Sequence, residues 1–262
     1  MAGILALGAA GILAGCGGDK AAKSAAPAAQ APKKIVVGLD DSFPPMGFKD
    51  DNGKIVGFDI DLASAVGKEM GVEVEFKPID WASKEAELSA GRVDALWNGL
   101  TITEERKKNV DFSKPYMNNE QVVIVLKDSD IQKPEDLAGK VVATQEGSTG
   151  VDAINKHPDV KKTFKGGEPK LYADFISALM DLQAKRVDAV VIDSVVGEYY
   201  MTKKQGIFRE LPGSFATEQF GVGVKKGNTA LVDLINKGID KVKASGEGSK
   251  ISQKWFGKDV MK

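Results

Sequence analysis

The chain has 262 residues with one cysteine and one histidine, which excludes an internal disulfide and a four-ligand Cys/His zinc site. Its 36 Lys and Arg balance 37 Asp and Glu to a formal charge of −1, so no basic excess marks a nucleic-acid binder. A hydrophobic fraction of 42% over this length is enough for one or two globular domains.

Residues 1–15 carry no charged side chain and are only Ala, Gly, Leu and Ile after Met1. The run is too short to span a bilayer comfortably and reads as the apolar core of a secretory signal. It ends Leu13-Ala14-Gly15-Cys16, which resembles the bacterial lipoprotein signal, where cleavage precedes the cysteine and the cysteine is acylated. The expectation is a signal over 1–16 with Cys16 as the lipid attachment point; an ordinary apolar leader is the alternative. Residues 17–32 are rich in Ala, Pro and Gly without an apolar face and read as a flexible tether. No later apolar run reaches transmembrane length.

Residues 35–39 form a short apolar strand bounded by Asp40 and Asp41. Helical spacing of apolar residues over 58–70 stops at Gly71. Residues 72–76 alternate as a strand, 85–90 are helical up to Gly91, and 93–97 are again a strand. This β-α-β-α-β order predicts an α/β lobe with a largely parallel sheet. A second lobe starts with a strand over 140–144 and a Gly/Ser/Thr turn over 147–150 that opens a short helix. His157 precedes Pro158 in a polar stretch and reads as a surface loop residue. A helix over 174–185 and a strand over 187–192 follow.

Residues 87–95 (ELSAGRVDA) and 181–189 (DLQAKRVDA) nearly repeat, each a helix end, a turn and a buried strand. Any αβ corner has some of this character; the sharper reading is two lobes of like topology. Ligands of open α/β sheets sit beyond the carboxyl ends of the strands. Those ends carry Asp40, Asp41, Asn98, Gly99 and Thr101 in one lobe. In the other they carry residues 145–150 and Asp193.

Several separated segments then agree in order. They are residues 34–48 (KIVVGLDDSFPPMGF), 57–63 (GFDIDLA), 94–106 (DALWNGLTITEER), 111–116 (DFSKPY) and 255–257 (WFG). Together they resemble the polar amino-acid-binding proteins of ABC importers, the family 3 extracellular solute-binding proteins, from about Lys33 to Gly257. The resemblance implies a type II periplasmic-binding-protein fold: two α/β lobes, two hinge strands near 116–122 and 217–221, and a ligand cleft between. Lobe 1 is then 33–118, completed by 219–262, and lobe 2 is 119–218.

The resemblance also implies site roles. Arg106 is placed to grip an α-carboxylate with its planar fork. The Thr101 hydroxyl and backbone N–H groups at Gly99, the Arg106 loop and Thr149 would share that anion. Ser148 and Thr149 open a helix, whose free N–H groups suit it. Asp193 would accept the ligand ammonium with help from the Asn98 carbonyl; its other reading is a helix N-cap. Phe43 and Trp81 match rings that sandwich the ligand side chain. Asp40, Asp41, Gln145, Glu146 and Glu85 surround the expected side-chain pocket, whose acidity favours Arg or Lys, with glutamine and cystine also open.

The expected function is therefore capture of a polar L-amino acid by lobe closure and delivery to ABC permease subunits. No cofactor, metal or catalytic residue is implied. The expected protein is a monomer outside the cytoplasm, held to the membrane through lipid on Cys16, with no nucleic-acid partner. One rival is an enzyme like the cyclohexadienyl dehydratases of this fold, with Glu146 as general acid. The other is a ligand-sensing module, which would need an extension beyond Lys262.

Overall fold

A computed structural model describes residues 32–262; the expected signal, Cys16 and most of the tether lie outside the described residues. The strand Lys34–Leu39 is buried or half-buried at every position after Lys34, as suits a central parallel strand covered on both faces. It pairs in parallel with Glu73–Pro78 on one side and Ala95–Leu96 on the other. The helix Phe58–Met70 lies between the first two in sequence and buries Phe58, Leu62, Ala63 and Val66. The sheet is not parallel throughout. Gly223–Lys225 returns late in the chain and pairs antiparallel with Ala95–Leu96, and Val110–Phe112 pairs antiparallel beyond it. The late helices Thr229–Ala244 and Glu247–Phe256 pack on Phe58–Met70, so the C-terminal segment completes this layer.

The second sheet repeats the arrangement. Val142–Gln145 lies between Lys170–Tyr172 and Ala189–Asp193, both parallel to it. The long strand Met117–Leu126 runs antiparallel on the far side of Ala189–Asp193. In both sheets the three parallel strands have the order second, first, third. The strand expected over 93–97 is shorter, Ala95–Leu96, and the one expected over 187–192 runs Ala189–Asp193.

The repeated sequence segments have matching chemistry. Arg92 donates to Glu87 at 2.9 Å, and Arg186 to Asp181 at 2.6 Å. Asp94 accepts from the Val36 N–H at 2.8 Å, and Asp188 from the Val141 N–H at 2.7 Å, so each Asp ties the start of the neighbouring strand. The turn residue is left-handed in both, Gly91 with φ 70° and Lys185 with φ 58°.

Two strands cross between the layers. Ala216–Phe220 runs antiparallel to the first half of Met117–Leu126, with Phe220 opposite Met117 and Ala216 opposite Gln121. His157 is exposed, and its Nε2 lies 2.9 Å from the Phe215 carbonyl with the rings edge-to-face.

Candidate functional site

The carboxyl ends of the parallel strands in both sheets point into one cleft. Asp40 follows Lys34–Leu39, Asn98 follows Ala95–Leu96, Gln145 ends Val142–Gln145, and Asp193 ends Ala189–Asp193. A narrow cavity lies between, lined by Phe43, Trp81, Gly99, Thr101, Arg106, Gln145, Ser148, Thr149 and Asp193. All nine were singled out in the sequence, four from the second lobe and five from the first.

Arg106 opens a short 3-10 turn, Arg106–Lys108, and is only 8% exposed. Its Nη1 donates to the Thr101 carbonyl at 2.9 Å and its Nη2 crosses the cleft to the Gly147 carbonyl at 3.2 Å. Glu85 lies 3.7 Å from its Nε. Lys84, also buried, reaches the same Gly147 carbonyl at 2.7 Å. Burial, and then the Arg106 charge, lowers its ammonium to about 8. Two cations therefore hold one carbonyl of the second lobe.

Asp193 stands at the N-cap position of the helix Ser194–Lys203, but its side chain makes no capping bond. Its Oδ1 instead accepts from Asn119 Nδ2 at 2.7 Å and Gln121 Nε2 at 2.9 Å. Burial, reinforced by the nearby Glu218 charge, pushes its carboxyl up to about 8. Of the two sequence readings, the capping one is removed.

Asp40 is buried, and burial pushes it up to about 6. Gln145 Nε2 donates to its Oδ2 at 2.7 Å across the cleft, and to the Ala173 carbonyl at 2.9 Å. Asn98 lies behind the wall, where its Oδ1 accepts from the Asp40 N–H at 3.1 Å. Phe43 packs against Phe175 of the second lobe, with ring centroids 6.0 Å apart. Ser148 caps the helix Thr149–Asn155, accepting from the Gly150 N–H at 3.2 Å.

Three expected contributions are corrected. The Gly99 N–H donates to the buried Asp59 at 2.7 Å, so it is committed inside the fold. Tyr116 donates to the same Asp59 oxygen at 2.9 Å. The Glu146 side chain is exposed and outside the cavity lining, because the strand has already ended and its N–H is tied to the Tyr172 carbonyl. Asp41 turns outward to Lys49 at 2.5 Å.

Other polar groups at the cleft carry no mark in the family segments. Asn119 and Gln121 alternate along Met117–Leu126 and are both buried. The polar run 118–121 alternates exposed and buried, which sets these two amides on one buried face of the strand. Glu218 lies opposite Asn119 on the return strand, and its Oε2 is 2.9 Å from the Thr101 hydroxyl.

Residues 35–258 match the sequence profile of the bacterial extracellular solute-binding proteins, family 3. The L-cystine-binding protein TcyJ of Escherichia coli K12 is 32% identical over 87% of this chain and 84% of its own length. The ABC transporter arginine-binding protein 1 of the same strain is 36% identical over 87% and 93%. Among solved structures, a substrate-binding protein of an ABC uptake transporter from Streptococcus pneumoniae with bound histidine superposes with a TM-score of 0.85. It is 40% identical, over 87% of this chain and 94% of that one.

Proposed function

We propose a specific role for a chain that belongs to the bacterial extracellular solute-binding proteins, family 3: it captures one polar L-amino acid for an ABC importer. The observation that carries this reading is one small cavity with Arg106 on its first-lobe wall and Asp193 on its second-lobe wall. A zwitterion needs both. Arg106 offers the α-carboxylate a planar fork, and Asp193 offers the ammonium an acceptor in a desolvated setting. Because the two belong to different lobes, the ligand makes its full set of contacts only when the lobes meet, and it favours closure by that difference.

The side chain of the ligand would lie between Phe43 and Trp81 toward Asp40 and Gln145. With Glu146 and Asp41 turned away and Glu85 drawn to Arg106, the remaining carboxylate is Asp40, which is outside the cavity lining and tied to it through Gln145 Nε2. We propose a cationic ligand, arginine-like, ahead of an amide such as glutamine or the larger cystine. The names of the relatives support this range, since they bind arginine, histidine and cystine.

We propose that the protein is a binding component and not an enzyme. Glu146, the general acid of the enzyme reading, is outside the cavity, and the charged groups that line it, Arg106 and Asp193, match the two charges of a ligand zwitterion. We also propose an extracytoplasmic monomer that delivers its ligand to permease subunits and is anchored through lipid on Cys16. Isothermal calorimetry against the twenty amino acids, ornithine and cystine tests the ligand class. Binding of aspartate or glutamate alone would sink the cationic assignment, and turnover of prephenate or arogenate would sink the binding-only role.

A further inference from the structure

We propose that Glu218 sets the affinity of the cleft for an α-carboxylate by competing with it for the hydroxyl pair of Thr101 and Thr149. The inference deepens the amino-acid-binding role and rests on it for the identity of the competing anion. Glu218 sits on the strand Ala216–Phe220, away from every segment that marks the family in the sequence. A residue opposite Asn119 on a connecting strand needs only one cross-strand bond, and Glu218 makes it, at 3.1 Å. The same oxygen reaches much further. It lies 2.9 Å from Thr101 Oγ1, 3.0 Å from Thr149 Oγ1 and 3.1 Å from Gln121 Nε2.

Proton counting makes the contacts exclusive. An ionised carboxylate only accepts, and a hydroxyl has a single proton to give. Gln121 Nε2 has two protons, and its shorter contacts, 2.9 Å to Asp193 and 3.1 Å to Glu218, take both; the Thr149 hydroxyl, 3.0 Å from Glu218, gives its one proton to that carboxylate. Thr101 Oγ1 stands 3.3 Å from Thr149 Oγ1 and 2.9 Å from Glu218, and the carboxylate is the stronger acceptor. A ligand carboxylate gripped by Arg106 needs those same two protons. Glu218 and the ligand cannot both have them, so binding requires Glu218 to give them up.

The two hydroxyls also come from different lobes. Thr101 follows the strand Ala95–Leu96 of the first sheet, and Thr149 opens the helix that follows Val142–Gln145 in the second. One Glu218 oxygen thus ties the walls together from the back of the cleft. The competing contact is also a closing contact, which yields two readouts of opposite kind: removing Glu218 strengthens carboxylate binding and loosens the unliganded protein.

The test uses the full chain as wild type, Glu218→Gln and Glu218→Ala. Calorimetry with L-arginine should show both variants binding about five- to fifty-fold more tightly. L-arginine methyl ester keeps the ammonium and side chain but has no anion, and its affinity should change less than about threefold. Small-angle scattering without ligand should show Glu218→Ala more expanded than wild type. Unchanged or weakened arginine binding in both variants overturns the inference, as does an equal gain for the ester. If wild type binds no amino acid at all, the proposed function falls, and scattering alone decides: a variant as compact as wild type overturns the bridging role.

Discussion

Asp193 should cost the protein stability in exchange for its place in the cleft. Burial and the Glu218 charge move its carboxyl from an ordinary 3.8 to about 8, so the folded protein holds a proton there at pH 7 that the unfolded chain has released. A group whose folded pKa is raised contributes its stability at low pH and loses it as pH climbs through the window between the two values. Asp193→Asn removes this linkage while keeping the shape and an oxygen for the Asn119 and Gln121 amides. At pH 7 the relief is about 3.2 pKa units at ~1.36 kcal/mol each, an upper figure of about 4 kcal/mol. For a body of this size that is a rise of about 10 °C in melting temperature. Thermal melts of both proteins from pH 4 to pH 9 should show the gain near zero at pH 4, growing through neutrality and levelling above about 8. The substitution should also weaken amino-acid binding by a hundredfold or so, because a carboxyl can lose its proton when the ammonium arrives and become its charged partner, and an amide cannot. A variant no more stable than wild type at pH 8, or a gain that persists on acidification, refutes the reasoning.

Arg106→Lys keeps the charge and loses the fork; arginine affinity should fall by roughly 1.5–3 kcal/mol, about ten- to a hundredfold by calorimetry, with melting little changed. Lys84→Met removes one of the two cations on the Gly147 carbonyl while filling the same volume. It should weaken closure and speed ligand release by about tenfold in stopped-flow fluorescence. Lys185→Gly replaces a lysine held at φ 58° and loses only an exposed ion pair to Asp128, so it should stabilise the protein by about 1 kcal/mol in urea unfolding.

The fold was legible because its signals are local. Apolar spacing marks the helix Phe58–Met70 to the residue, since Gly71 provides a left-handed stop directly after it. The repeated corners are legible for a reason deeper than composition. The acid, the arginine five residues on and the following aspartate each have a bonding duty that both lobes need, and those duties keep the residue types in register. Lys185 in place of Gly91 shows which position can drift, because an exposed turn can carry the strain that a buried bond could not. The antiparallel return of Gly223–Lys225 into the first sheet was not legible, because a three-residue strand more than a hundred residues from its partner leaves no periodicity to read.

The site divides along a similar line. Residue types that need a particular shape or charge, such as Arg106, Phe43 and Asp193, stand out in the chain, and the cavity draws its lining from them. What sequence cannot allocate is hydrogen. A backbone N–H near a cleft looks available to a ligand until a buried carboxylate claims it, as Asp59 claims Gly99 from forty residues away. Tyr116 secures that carboxylate from the other side, so the wall of the cleft is held by an acid that never faces it. Glu218 is the converse case, an acid on a strand far along the chain whose reach into the cleft depends on the pairing of Ala216–Phe220 with Met117–Leu126. Both effects follow from one constraint: every donor has a fixed number of protons, and tertiary geometry decides which acceptor arrives first. Affinity in such a cleft is thus a competition between the ligand and the protein's own acceptors, and the distances around Glu218 place that competition at Thr101 and Thr149.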